Sequence, residues 1–334
     1  MLSYAFSSWR ESGEAIPSFA RERVMTLDCA WPYRQAPGSP RPGNLIRVLV
    51  FSLLFIIVAP QPGTATESSL RVMTYNICGV CVWDHVPLAV MRPHHPDLVL
   101  LQEVRNIQQV TVLSQGLGLP YWRFTPYARG RSGVALLSRW PLGPAHKLFL
   151  ENSSQGKVAL AARVASPLGH FWVCSAHLDN PLRVRTLTSL WQKVLFLWQE
   201  FFTATPRTQQ AQELSTWLVG LGGESMILGG DFNSMPFAGA DRHLRQYFSD
   251  ALSINLQQYF TGTYWGQLQD PVRPRLDFLY YSPSWQVVDA QVIQHRASDH
   301  FPVLAVLSPA LKAPDPLAPQ HDPKVLAGSP PRRL

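Results

Sequence analysis

Short, almost wholly apolar runs recur along this chain, and most of them end at a polar side chain. They are Leu70–Ile77, Leu98–Gln102, Gly133–Ser138, Ala159–Ala165, Phe171–Ala176, Met226–Leu228, Leu276–Tyr281 and Val303–Leu307. Runs this short, apolar at successive positions, predict strands of sheets buried on both faces. Helical spacing separates some of them, over Val86–Met91, Val110–Leu117 and Gln209–Leu221. In the last, Ala211, Leu214, Leu218 and Leu221 share a face and Gly222 supplies the stop. The mixture predicts an α/β domain with mixed sheets. A buried strand holds its terminal side chain rigidly while the loop beyond it opens to solvent, so chemistry is to be sought at the strand ends.

Those ends carry an ordered set of amides, acids and imidazoles. Val72-Met-Thr-Tyr ends on Asn76, and Leu98-Val-Leu-Leu-Gln on Glu103. Phe171-Trp-Val-Cys-Ser-Ala leads to His177. Ile227-Leu-Gly-Gly delivers Asp231 and, two residues on, Asn233, which face one side in an extended chain. Arg275-Leu-Asp277 opens another strand, and Ser298-Asp299-His300 precedes the last. Taken singly, each has a plain structural reading: a surface acid, a turn residue, a cap. The order of the whole set is what is specific.

In that order the residues resemble the endonuclease/exonuclease/phosphatase superfamily, over 70–308. The resemblance implies a four-layer sandwich, two mixed β-sheets packed face to face with helices outside. It also implies roles. Glu103, Asn76 and Asp299 are expected to bind Mg²⁺ or Mn²⁺, which suit hard oxygen ligands. Asp231 and Asn233 are expected to orient the attacking water and the phosphoryl oxygens. His300 is expected to act as general base or to stabilise transition-state charge, with Asp277 fixing its tautomer. His177 is expected across the phosphate, protonating the leaving oxygen or stabilising the pentavalent state.

His177 favours the deoxyribonuclease I, sphingomyelinase and phosphatase branches over the apurinic-site endonucleases, which resemble one another in having a tyrosine in this region. One departure stands out. Deoxyribonuclease I supports its matching histidine with a glutamate, whereas residues 104–150 here contain no acid.

That acid-free stretch holds Arg105, Arg123, Arg129, Arg131, Arg139 and Lys147, either a phosphate-facing surface or a chance cluster on a solvated face. The whole chain carries a formal charge of +7, a mild bias towards anionic partners that falls short of a dedicated nucleic-acid binder. With 46% hydrophobic and 15% charged residues, a sizeable core is expected and global disorder is excluded. The 4 cysteines exclude a disulfide-dense scaffold, and Cys78-Gly-Val-Cys81 lacks the second pair that a zinc site needs. It reads either as a local disulfide or as two inert thiols.

Residues 1–44 lack periodicity and read as a disordered extension. The uncharged run Val48–Ala59, preceded by Arg41 and Arg47 and followed by Gly63-Thr-Ala65, has the layout of a secretory signal peptide. Residues 45–65 are therefore expected to be a signal or an uncleaved anchor, although a buried element has the same composition. A signal or an anchor puts the catalytic domain outside the cytoplasm: secreted, periplasmic or membrane-anchored. Residues 309–334, rich in Pro and Ala, read as a disordered tail.

Between His177 and Gln209, Leu187, Leu190, Trp191, Val194, Leu195, Trp198, Phe201 and Phe202 recur at helical spacing. This helix is expected either to dock on the sandwich or to form a lid or membrane contact. The functional expectation is an exported metal-dependent hydrolase of phosphate esters. Nucleic acid, a phospholipid head group and a small phosphate ester remain open as its substrate. The alternatives are a non-catalytic binding module and a membrane-associated interaction protein that keep the fold.

Overall fold

In a computed structural model, residues 69–79, 81–180, 189–222, 225–265 and 273–310 are described, with the side chains of Leu190 and Lys193 excepted. The expected N-terminal extension and signal, and the tail beyond residue 310, lie outside the described residues, as does Leu187.

One sheet contains β1 (Leu70–Asn76), β2 (Leu98–Val104), β3 (Tyr121–Pro126), β4 (Gly133–Ser138), β11 (Trp285–Val292) and β12 (Val303–Pro309). Its spatial order is β11-β12-β1-β2-β4-β3. The other contains β5 (His146–Phe149), β6 (Val158–Ser166), β7 (Gly169–His177), β8 (Met226–Asp231), β9 (Ser249–Asp250) and β10 (Asp277–Tyr281), ordered β5-β6-β7-β8-β10-β9. Both are mixed, because β1–β2 and β7–β8 are parallel while the other named pairs are antiparallel. The helices are α1 (His85–Met91), α2 (Ile107–Leu117), α3 (Leu190–Phe202), α4 (Pro206–Gly220), α5 (Gly239–Leu244) and α6 (Leu256–Tyr259).

Three apolar clusters account for the layers. The largest joins the facing sides of the two sheets, with Val72, Leu100 and Val303 from one and Leu160, Val173 and Leu279 from the other. The second seals the outer face of the second sheet with Ala211, Leu214 and Leu218 of α4. The third seals the outer face of the first sheet with Val90 and Met91 of α1 and Val110 and Leu113 of α2. This is the four-layer α/β sandwich that the resemblance implied, with the mixed sheets that the strand runs predicted. Strands apolar at every position are those with cores on both sides, so β4 is buried throughout.

The strands that the apolar runs did not announce are β3, β5, β9 and β11. All four stand at the edge of a sheet, and β3, β5 and β11 carry exposed or half-buried residues at most positions. β12 continues to Pro309, just into the segment that composition had given to the tail.

Candidate active site

Strand pairing puts three of the sequence-predicted residues in one row. In the parallel β7–β8 ladder His177 pairs with Asp231, and in the antiparallel β8–β10 ladder Asp277 pairs with the same Asp231. The approach needs Gly230, where a Cβ would collide with the Ala176 carbonyl. Asn76 comes from the first sheet and donates from Nδ2 to Asp231 Oδ2 at 3.1 Å, so the residue row and the end of β1 meet across the sandwich. Below it, Gln102 donates to Thr74 and Ser175, one on each sheet, and fixes their spacing.

His300 enters from the turn before β12. Its Nδ1 lies 2.7 Å from Asp277 Oδ2, and Ser298 beside it donates to the Asn76 carbonyl at 2.8 Å. Asp231, Asp277 and His300 offer ligand atoms within 4.8 Å of one another, the one such set among the described residues. Asp299 contributes its charge to His300 and accepts from Ser298 Oγ at 3.2 Å. Asn233 donates its backbone N–H to Asp231 and its amide to the Leu178 carbonyl, 3.2 Å from His177 Nε2.

Glu103 reaches the site by a different device. The β2–β4 register shifts between Leu101 and Val104, a bulge that re-aims the intervening side chains. Glu103 has φ 57°, Asn233 φ 47° and Cys78 φ 42°. Non-glycine residues rarely hold this left-handed conformation, and it concentrates at sites where geometry is imposed by function. Cys78 is joined to Cys81 by a disulfide, its N–H donates to Asn76 Oδ1, and Gly79 N–H donates to the Glu103 carbonyl. The disulfide loop thus braces Asn76 and Glu103, two of the three residues expected to bind metal.

Two residues absent from the sequence reading complete the site. Tyr127 Oη lies 2.6 Å from His177 Nδ1 and accepts the Glu103 N–H. Lys157, only 2% exposed, sets Nζ 3.1 Å from His177 Nε2 and 4.6 Å over the Tyr127 ring. Tyr127 therefore supports the His177 ring at Nδ1, with Lys157 on its other nitrogen, in a chain that offers no acid over residues 104–150. Neither had a local signal, since Gly156-Lys157-Val158 reads like any solvated lysine before a strand.

The charges follow from burial and neighbours. Burial, reinforced by Lys157 and His300, holds His177 well below the usual imidazole range, so its ring is neutral at pH 7. Burial also opposes charge on His300, but Asp277, Asp231 and Asp299 outweigh it and raise its pKa to about 10. Burial and the nearby Asp277 raise Asp231 against the pull of His300. Burial lowers Lys157, while Glu103, Asp231 and Asp179 counteract it. Five carboxylates, Glu103, Asp179, Asp231, Asp277 and Asp299, thus act on one lysine and one imidazolium. No described residue pairs with the Glu103 carboxylate through a hydrogen bond or ion pair. A surplus of hard oxygen donors, one of them free, fits a divalent cation.

Three of the six cations in the acid-free stretch are held by partners within the domain. Arg105 pairs with Asp84 and Arg139 with Asp97, both at 2.8 Å, and Arg123 donates to the Leu142 and Gly143 carbonyls. Arg129 and Arg131 stay exposed on the loop after Tyr127, where Arg129 N–H bonds to Gln155 just before Lys157.

Comparison with known proteins agrees with this geometry. The model of the Endonuclease/Exonuclease/phosphatase family matches residues 73–300. The human Nocturnin catalytic domain with bound sulfate is similar at 21% identity and TM-score 0.54, over 73% of this chain and 94% of that one. A mannosyl-6-phosphatase of Bacteroides thetaiotaomicron is similar at 17% identity and TM-score 0.54, over 71% and 99%. TDP2 of D. rerio complexed with a single-strand DNA product is similar at 15% identity and TM-score 0.54, over 72% and 99%. At these identities the structures speak for the fold, and the family match carries the assignment. The chain belongs to the endonuclease/exonuclease/phosphatase family, whose members hydrolyse phosphoric esters.

Proposed function

We propose that the protein is an exported, divalent-metal-dependent hydrolase that directs water in line onto the phosphorus of an anionic ester. The observation that carries this reading is the buried convergence of Asp231, Asn233, His177 and the His300–Asp277 pair where the two sheets meet. A binding module has no need for that many desolvated, mutually perturbed groups.

Glu103, Asn76 and Asp299 are the residues that would hold Mg²⁺ or Mn²⁺. Asp277 is already engaged by the His300 ring, so the oxygen-only set is the better match to a hard ion than the Asp231–Asp277–His300 group. When bound, the ion supplies Lewis-acid polarisation of a phosphoryl oxygen.

The protein's own groups divide the remaining work. Asp231, raised but flanked by donors, accepts the proton of the attacking water. Asn233 holds that water's partner groups in place. His300, protonated at pH 7, acts by charge and hydrogen bonding on the phosphoryl oxygens; of the two roles expected for it, this one matches its raised pKa. Neutral His177 orients its oxygen contact by hydrogen bonding, and Lys157 beside it faces the negative charge that grows in the transition state. Arg129 and Arg131 line the approach of an anionic substrate. Export is supported by the layout of residues 45–65 and by the Cys78–Cys81 disulfide, a bond that persists in oxidising compartments.

The test is hydrolysis of supercoiled plasmid, sphingomyelin vesicles and a soluble phosphomonoester in Mg²⁺, in Mn²⁺ and in EDTA. Turnover of at least one ester, abolished by EDTA and restored by either ion, is expected. Turnover that persists in EDTA, or silence on all three with no metal bound in calorimetry, would sink the reading. On the ester that is turned over, Lys157→Met is expected to lower kcat by about 10²-fold. Steady-state kinetics check this, and an unchanged kcat would remove Lys157 from the chemistry.

A further inference from the structure

The helix α3 is apolar, yet it contributes no residue to any of the three core clusters. Trp191, Leu195, Trp198 and Phe202 follow one another at helical spacing and are 81%, 54%, 52% and 70% exposed. They form a continuous ridge, with Val194 and Leu197 exposed beside it. The helix is firmly specified: Ser189 and Gln192 close a capping box at its start. Near its end, buried Glu200 pairs with Arg207 of α4. An exposed ridge on a well-anchored helix marks a contact surface.

Charge identifies the occupant. The sequence has no carboxylate between Asp179 and Glu200, and the Arg207 partner neutralises Glu200. Where the ridge ends, Phe202 shares a cleft with Thr203, Thr208, Arg242, His243 and Gln246. The Arg242 side chain is exposed and pairs with no acid among the described residues. A tryptophan and phenylalanine ridge ending at an unpaired cation is the composition of a helix that lies in the headgroup layer of an anionic bilayer. A second copy of the chain would bring the same cation to the interface and no acid to meet it. At 13 residues α3 is far too short to span a membrane, so it lies on the surface.

We propose that α3 is an interfacial docking helix for anionic phospholipid bilayers. Its aromatic ridge enters the headgroup layer, and Arg242 meets a lipid phosphate or carboxylate in the cleft beside Phe202. The proposal concerns binding and stands apart from the hydrolytic reading.

Residues 66–310 suit the test, because all three apolar clusters lie within them and the family match spans 73–300. They also leave out the apolar Val48–Ala59 run, so vesicle binding by this part is not owed to it. The experiment is cosedimentation with phosphatidylcholine vesicles, with and without phosphatidylserine, alongside sedimentation velocity of the free protein. Wild type is expected to pellet with the phosphatidylserine vesicles. Trp191→Glu and Trp198→Glu are expected to weaken this at least about tenfold with an unchanged thermal midpoint, since both side chains are exposed. Arg242→Gln is expected to erase the preference for phosphatidylserine. Failure of wild type to pellet with either vesicle overturns the proposal. So does equal binding by the glutamate variants, or a wild-type dimer that they dissociate while vesicle binding persists.

Discussion

Asp231→Asn is expected to lower kcat by about 10³-fold while leaving the metal-free protein at least as stable as wild type. Asp231 is 2% exposed and sits beside Asp277, so the folded state favours its protonated form. A carboxylate raised in this way costs stability as pH climbs above its unfolded value, because unfolding releases the proton. At neutral pH the ionised Asp231 is therefore a strain that the fold tolerates for its chemistry. Asparagine keeps the acceptor for the Asn233 N–H but loses one well-placed acceptor for Asn76, a loss of about 1–3 kcal/mol. Removing the buried charge outweighs this, and a net gain of about 1 kcal/mol is expected in EDTA at pH 7.5. Thermal unfolding and steady-state kinetics decide it. A variant that is both active and less stable would contradict the role given to Asp231.

His300→Ala is expected to have the opposite stability effect with a comparable loss of turnover, about 10³-fold. Asp277 is fully enclosed, its Oδ2 faces His300 at 2.7 Å and its Oδ1 has no protein partner. Deleting the ring strands a buried carboxylate, at a cost of about 3–5 kcal/mol. The pH dependence has a definite sign. Burial opposes the His300 charge, but the surrounding acids raise its pKa to about 10, above the unfolded value of 6.5. Its stabilising contribution is thus complete below pH 6.5 and is lost as pH rises through about 10. Wild type should lose thermal stability across that interval, and His300→Ala should not show the same loss. The double variant His300→Ala/Asp277→Asn should recover part of the stability, because it removes the stranded charge, but none of the activity. If the single variant unfolds like wild type across the whole pH range, the pair has been misread.

The strands that carry the site were legible in the sequence for a local reason. A strand with a core on both sides must be apolar at every position, so β1, β2, β7 and β8 announce themselves, and the polar residues that end them stand out by contrast. Asn76, Glu103, His177 and Asp231 stand out that way, Asn233, Asp277, Asp299 and His300 lie at or beside the ends of strands β8, β10 and β12, and only the order of the whole set, with the resemblance it carries, singled them out together. Edge strands such as β3 and β5 face water on one side and carry no such mark. Helix α3 was announced by its periodicity, but periodicity reports an apolar face and is silent about what covers it.

Tertiary structure alone decided how those residues work together. Ladder register placed His177 and Asp277 on either side of Asp231, a juxtaposition of residues far apart along the chain. Tyr127 and Lys157 became site residues only because β6 and the loop after β3 pack against His177; nothing in their own segments distinguishes them. The charge states are also products of the fold. Two histidines of identical intrinsic chemistry are driven apart, His177 neutral and His300 protonated, because one is buried next to a lysine and the other among acids. Apolar pattern is a property of neighbouring residues and can be read in one dimension, whereas desolvation and electrostatic coupling act across space and exist only once the two sheets have closed.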